Sequence, residues 1–141
     1  MSSLFHKTTP VLVVERVEPV LSFWNKLGMV PGVKVPDESA GDGRLAFVVL
    51  AAEGFEVMYQ TVASITGDTV ASASDKKAFR LEPQQTTLYV EVGDLGQVER
   101  KLAGEHLVMP RRKTFYGATE IGYADPAGNI VIFSEHAART N

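Results

Sequence analysis

The sequence contains no cysteine. Disulfide bonds, thiolate metal sites and a cysteine nucleophile are therefore excluded. Long apolar segments are missing too. The opening stretch MSSLFHKTTP has no hydrophobic region of the signal-peptide kind, and no apolar run approaches about 18 residues, the length that spans a membrane. We therefore expect a soluble, cytoplasmic protein.

Neither sign of charge is in large excess. The 14 basic and 17 acidic side chains give a formal net charge of −3, which does not favour nucleic acid or an anionic membrane as a partner. Hydrophobic residues make up 45% of the 141 positions, as in ordinary globular proteins. We expect a single domain over 1–141, with one module at about 8–62, a linker at about 63–85 and a second module at about 86–136.

The first half of the chain alternates strand-like and helix-like segments. A strand is predicted at Val11–Val14, just after Pro10, which cannot donate a ladder hydrogen bond. A helix is predicted from Glu18, with Pro19 in its first turn and Gly28 at its end. Three more strands are predicted, at Val30–Val35, Leu45–Leu50 and Phe55–Thr61. This order makes one βαβββ module.

The segment Val62–Gln85 differs in composition, because it is rich in Ala, Ser, Thr and Asp. We interpret it as a connection between modules that is helical in its first and last thirds.

The strand–helix pattern then restarts. A strand is predicted at Thr86–Val92, and Asp94 is a helix N-cap candidate. An apolar stripe with helical spacing follows and ends at Gly104; it consists of Leu95, Val98 and Leu102. A short strand at Leu107–Met109 leads to the basic segment 111–113, interpreted as a solvated loop, with binding of an anionic group as the alternative.

A hairpin closes the second half. Its strands are Thr119–Tyr123 and Ile130–Phe133, joined by the turn Asp125–Asn129. Proline presets φ in that turn, and Gly128 can supply a positive φ. The last strand is apolar throughout, so we expect it to be central in a sheet. The hairpin is interpreted as lacking the carboxylate that a metalloenzyme's active-site strand would carry.

The two halves repeat each other. Aligning Val14 with Val92 also places Thr9 on Thr87, and both predicted helices end at a glycine. The sequence therefore predicts an α+β fold of two βαβββ modules. Such a module cannot bury the open face of its sheet alone, so two modules can close over a cavity.

These motifs resemble the vicinal oxygen chelate superfamily, also called the glyoxalase/bleomycin resistance/dioxygenase fold. The matching segments span most of the chain: 14–17, 23–24, 27–29, 88–92 with Asp94, 114–117 and the turn 125–129. The resemblance implies curved mixed sheets around a ligand cavity, usually in a homodimer. It also implies metal ligands at positions that correspond here to Thr9, Glu56, Thr87 and Ile132.

Only Glu56 of those four residues is a strong metal ligand, because threonine hydroxyls bind such ions poorly and isoleucine cannot bind them. We therefore predict no metal site and no cofactor, and we keep only His6 with Glu56 open as an unusual pair. The same strand register and the aromatic loop instead predict a ligand-binding set: Glu56, Met58, Gln60, Tyr89, Glu91, Phe115, Tyr116 and Ile132. Carboxylates in such a cavity would favour a cationic ligand.

The leading hypothesis is a metal-free small-molecule binding protein, with sequestration of a drug or natural product as its role. One alternative is a metal-dependent lyase or dioxygenase with an atypical ligand set, which predicts metal binding that depends on Glu56. The other is a non-catalytic structural or protein-interaction module, which a filled cavity would favour. The residues assign no catalytic group, so enzymatic activity stays undecided.

Overall fold

The computed structural model describes residues 4–69 and 81–137. It contains three helices in these ranges: α1 (Glu18–Lys26), α2 (Val62–Thr69) and α3 (Leu95–Lys101). The strands are β1 (Val11–Val14), β2 (Pro31–Pro36), β3 (Leu45–Ala52), β4 (Phe55–Thr61), β5 (Thr87–Glu91), β6 (His106–Lys113), β7 (Ala118–Ala124) and β8 (Ile130–His136). None of the helices in these ranges is long and apolar enough to cross a membrane.

The strands form two four-stranded mixed sheets with the same order. The first is β1-β4-β3-β2 and the second is β5-β8-β7-β6. In each, the first strand pairs in parallel with the fourth, and the other pairs are antiparallel. The predicted α+β fold with a repeated βαβββ order is therefore confirmed, and β8 is central as expected.

The described residues form two compact units. One contains 4–18, 29–69 and 81–83, and the other contains 19–28 and 84–137. Most of α1 thus belongs with the second sheet, although it lies in the first half of the chain. Its Trp24 is buried, and its ring contacts Phe133 of β8 edge-on, with centroids 6.3 Å apart. Apolar residues on one face of the second sheet are therefore covered by α1.

Helix α3 begins as its sequence predicts. Asp94 accepts a hydrogen bond from Gln97 N at 3.1 Å, which satisfies one of the free amides of the first turn. The predicted apolar stripe is buried at all three of its positions, Leu95, Val98 and Leu102.

The turn that joins β7 to β8 is held by its own side chains. Asp125 Oδ1 accepts hydrogen bonds from Ala127 N and Asn129 N, both at 2.9 Å, and Gly128 has a φ of 89°. Asn129 Oδ1 accepts a hydrogen bond from Thr86 N at 2.9 Å, just before β5 begins. The conspicuous sequence motif therefore has a structural role, because it fixes the hairpin and aligns β5 beside β8.

Two sequence predictions need correction. Residues 81–85 are not helical, so the helix predicted for the last third of the linker is wrong there, whereas α2 confirms the helix in the first third. Residues 70–80 lie outside the described ranges. The segment 111–113 belongs to β6 and is not a loop. Pro110 is tolerated inside this strand because β6 is an edge strand with a register shift between Met109 and Arg112.

Candidate functional site

A row of polar residues crosses all four strands of the second sheet. The registers align Glu91 with Ser134, Ser134 with Glu120, and Glu120 with Arg112. Because side chains alternate between the faces of a strand, this row points away from Phe133 and the helices. Charged and hydroxyl groups are thus collected on the face opposite the one that packs against α1 and α3.

Glu120 is the centre of this row. Its carboxylate is 1% exposed, and Oε2 accepts hydrogen bonds from the hydroxyls of Tyr89 and Tyr116, both at 2.6 Å. Oε1 accepts hydrogen bonds from Arg112 Nη2 at 3.1 Å and Nε at 3.3 Å. A buried carboxylate needs such partners, since an unpaired charge away from water is strongly unfavourable.

These contacts set the ionisation of the site. The hydrogen bond from Tyr116, followed by that from Tyr89, lowers the pKa of Glu120; desolvation opposes this shift and Arg112 adds to it. The same carboxylate is the main cause that raises the pKa of Tyr116 to about 12. At neutral pH the site therefore contains an ionised carboxylate that Tyr116, as a neutral phenol, supports with a hydrogen bond.

Tyr89 connects Glu120 to two further side chains. Its oxygen lies 2.7 Å from the hydroxyl of buried Ser134 and 3.4 Å from His136 Nε2. Since the phenol has one proton and donates it to Glu120, the Ser134 hydroxyl donates to the Tyr89 oxygen. His136 Nε2 also lies 3.6 Å from Glu91 Oε1 at the edge of the row.

Aromatic rings lie over this polar row and form what we call the aromatic surface: Tyr89, Phe115, Tyr116 and His136. Successive ring centroids are 5.1 Å apart for Phe115 and Tyr116, 6.5 Å for Tyr116 and His136, and 6.4 Å for His136 and Tyr89. Phe115 is fully exposed and both tyrosines are 50% exposed. An exposed group of contacting aromatic rings is typical of a binding surface.

A cleft of about 270 Å³ adjoins the aromatic surface at His136. This volume is close to the lower limit, about 300 Å³, of the range that small-molecule sites occupy. The cleft is lined by Lys113, Thr114, Gly117, Ala118, Thr119, Glu135, His136 and Ala137.

The predicted ligand-binding residues divide between the two units. Tyr89, Phe115 and Tyr116 belong to the aromatic surface. Glu91 and Ile132 lie on the same face of the sheet, because Glu91 is paired with Ser134 and Ile132 with Tyr89. The three predicted residues of the first unit lie on β4 and are Glu56, Met58 and Gln60. Ligand binding by either group remains a prediction.

The β4 residues already have partners within the first unit. Glu56 pairs with Lys7, whose Nζ lies 2.7 Å from Oε2, and this hydrogen bond is the main cause that lowers the pKa of Glu56. Gln60 is buried, and its side-chain nitrogen donates to Ser64 Oγ at 2.8 Å and to Asp68 Oδ2 at 2.9 Å. Lys7 therefore offsets the negative charge that was expected to attract a cation at Glu56.

Sequence reasoning missed the central residue, Glu120. The hairpin does carry a carboxylate, Glu120, on the sheet face opposite Phe133, which corrects the interpretation that it has none. The signal was the alternation in β7, where apolar Ile121 and Tyr123 share one face of the strand and Glu120, directly before Ile121, lies on the other. Arg112 was missed because Pro110 indicated a loop, and His136 because it was interpreted as a surface residue.

Several crystal structures are similar to this chain. TioX from Micromonospora sp. ML1 has a TM-score of 0.69 and 15% identity, covering 94% of this chain and 100% of that one. A glyoxalase-related enzyme from Fulvimarina pelagi has a TM-score of 0.67 and 19% identity, with 94% and 89% covered. A glyoxalase/bleomycin resistance protein/dioxygenase from Nocardioides has a TM-score of 0.64 and 16% identity, with 99% and 89% covered.

This chain has the glyoxalase/bleomycin resistance/dioxygenase fold. The fold expected from the sequence motifs is confirmed. Identities this low establish shared architecture and not shared activity. No family profile matches the chain, and no curated protein matches its sequence.

The residues at the metal positions implied by the glyoxalase/bleomycin resistance/dioxygenase fold do not fit a divalent ion. Glu56 is neutralised by Lys7 and also accepts a hydrogen bond from Thr9, while Thr87 and Ile132 offer no strong ligand. Within residues 4–69 and 81–137, no three His, Asp or Glu side chains gather closely enough to hold a metal. The described donor set therefore gives no support to the atypical metal site.

Proposed function

We propose that this chain is a small-molecule binding protein of the glyoxalase/bleomycin resistance/dioxygenase superfamily, and that it binds a planar ligand on the aromatic surface without a metal. The observation that carries the proposal is Glu120, which fixes the hydroxyls of Tyr89 and Tyr116 while half of each tyrosine stays exposed. The rings are thus held in place before any ligand arrives. Such preorganisation reduces the entropy lost on binding.

The aromatic surface suits a flat, apolar ligand. A planar ring system can stack on either Tyr116 or the fully exposed Phe115 and meet the other ring at its edge, because these two rings stand at 85° to each other. Sequestration of a drug or natural product would use this type of site. The homodimer implied by the resemblance remains part of the proposal, and sedimentation velocity would test it.

Binding is favoured over proton-transfer catalysis by the ionisation of the site. Tyr116, with its pKa raised to about 12, is not deprotonated near neutral pH and cannot serve as a general base. Glu120 has a lowered pKa, and both of its oxygens already accept hydrogen bonds. These groups are arranged to stay in one protonation state.

Titration calorimetry with planar aromatic compounds of each charge type tests the proposal. Phe115→Ala should weaken the binding of any ligand found by about tenfold, which is the upper part of the range for one aromatic contact. Phe5→Ala is the matched control, because Phe5 is also highly exposed but lies in the first unit. Equal loss in both variants, or no binding by any planar compound, would refute the proposed site.

Chelator treatment separates this proposal from the metal-dependent alternative. We expect affinity for the aromatic ligand to be unchanged after dialysis against a chelator. A stoichiometric divalent ion in the purified protein that disappears in Glu56→Ala, together with lost binding, would instead support the enzyme with an atypical ligand set.

A further inference from the structure

Arg112 has hydrogen-bonding capacity that the protein does not use. A guanidinium has five N–H donors. Arg112 directs the N–H of Nε and one N–H of Nη2 to Glu120 Oε1. No residue in 4–69 or 81–137 accepts a hydrogen bond from its remaining N–H groups, and 57% of the side chain is exposed. The outer edge of the guanidinium, with donors on both Nη atoms, therefore faces solvent.

Glu120, the carboxylate that Arg112 contacts, has no acceptor position left for a ligand. Two phenol hydroxyls occupy Oε2 of Glu120, and Arg112 occupies Oε1 from two nitrogens. A carboxylate has about four lone-pair positions, so Glu120 has none left for a ligand. The centre of the site thus offers free N–H donors on Arg112 and no free acceptor position on Glu120.

We propose that the ligand is a planar aromatic carboxylate, with its ring on the aromatic surface and its carboxylate on the outer edge of Arg112. This inference rests on the proposed function and adds the charge of the ligand. A carboxylate matches the two parallel N–H groups of a guanidinium, and such bidentate pairs are about twice as strong as neutral hydrogen bonds. Tyr89, Tyr116 and Arg112 all contact one carboxylate, so ring and charge sites are adjacent.

Glu91, the other carboxylate of the polar row, does not reverse this preference. Glu91 belongs to the same row, but three strand spacings separate it from Arg112, which is about 14 Å. That distance exceeds the Debye length of about 8 Å at physiological salt. His136 Nε2 also lies 3.6 Å from Glu91 Oε1. A carboxylate at Arg112 therefore meets little repulsion from Glu91.

Three naphthalene compounds of one shape test the charge directly on the unmodified protein: 2-naphthoate, 2-naphthamide and 2-naphthylmethylammonium. Calorimetry should show 2-naphthoate binding at least about tenfold more tightly than the amide, and the ammonium compound binding most weakly. Equal or tighter binding of the amide or the ammonium compound would overturn the carboxylate assignment and leave the proposed function standing. Failure of all three to bind would overturn both.

Arg112→Gln and Arg111→Gln form a matched pair, since adjacent residues of β6 lose the same charge and each has a glutamate partner. Arg111 pairs with Glu99 of α3 and not with Glu120. We expect Arg112→Gln to weaken the affinity for 2-naphthoate by about tenfold and to change the affinity for 2-naphthamide by less than about twofold. Arg111→Gln should change neither. The inference would be overturned if Arg112→Gln lost the same affinity for both compounds. It would also be overturned if both variants lost the same affinity for 2-naphthoate. Should Arg112→Gln fail to fold, the compound series alone decides.

Discussion

Glu120→Gln is the substitution that most directly probes how the site is organised. The amide keeps the size of the side chain but removes its charge and replaces one acceptor oxygen with a donor. Tyr116 then loses the interaction that contributes most to its pKa of about 12. We expect its pKa to fall toward the ordinary value of 10.0.

The near-ultraviolet absorbance of tyrosinate measures this shift. The protein has four tyrosines, so each titration is repeated in a Tyr116→Phe background, and the difference isolates Tyr116. The reasoning would be refuted if Tyr116 had the same pKa in the unmodified protein and in Glu120→Gln. In that case the short contact between Tyr116 and Glu120 would not exist in solution.

Linkage extends the same prediction to stability. The folded-state pKa of Tyr116 is raised, so its contribution to the free energy of unfolding is complete below about pH 10 and is lost as the pH rises toward 12. The pKa of Glu120 is lowered from 4.5, so its contribution is present above that pH and is lost as the pH falls through the folded-state value. The stability advantage over Glu120→Gln should therefore be constant near neutral pH and shrink at both extremes.

Three other changes distinguish the framework from the site in urea unfolding. Asp125→Ala removes the acceptor of the Ala127 and Asn129 amides and should cost about 1–3 kcal/mol; an unchanged midpoint would contradict the role of the turn. Trp24→Ala should cost about 3–5 kcal/mol, because the ring is buried, and a cost under about 1 kcal/mol would contradict that packing. Phe115→Ala should alter stability by less than about 0.5 kcal/mol, since the ring is fully exposed; a larger loss would mean that it packs on the protein.

Local chemistry made most of the fold predictable. The cap at Asp94 and the turn at Asp125–Asn129 each act through hydrogen bonds within a few residues, so their sequence motifs are sufficient to identify them. The repeat of strand, helix and three strands was also visible in the sequence, and the apolar last strand was expected to be central, as it is. The strand Phe55–Thr61 was predicted with the bounds that the structure has.

The site could not be predicted in the same way, because its contacts join distant parts of the chain. Tyr89 and Glu120 meet only when β5, β8 and β7 lie in one register, and the sequence does not state that register. Arg112 reaches Glu120 through an edge strand whose register shift at Pro110 looked like a loop. Strand alternation gave the face of each residue but not its partner across the sheet.

The assignment of most of α1 to the second unit affects how the chain can be divided. The polypeptide passes between units at 18/19, 28/29 and 83/84, so no single cut yields two pieces that match the units. A fragment of 84–137 alone would expose the apolar surface that Trp24 covers at Phe133. Split-protein or permuted versions of this chain should therefore retain helix 18–26 with the second sheet, and the two halves of the repeat are expected to unfold together.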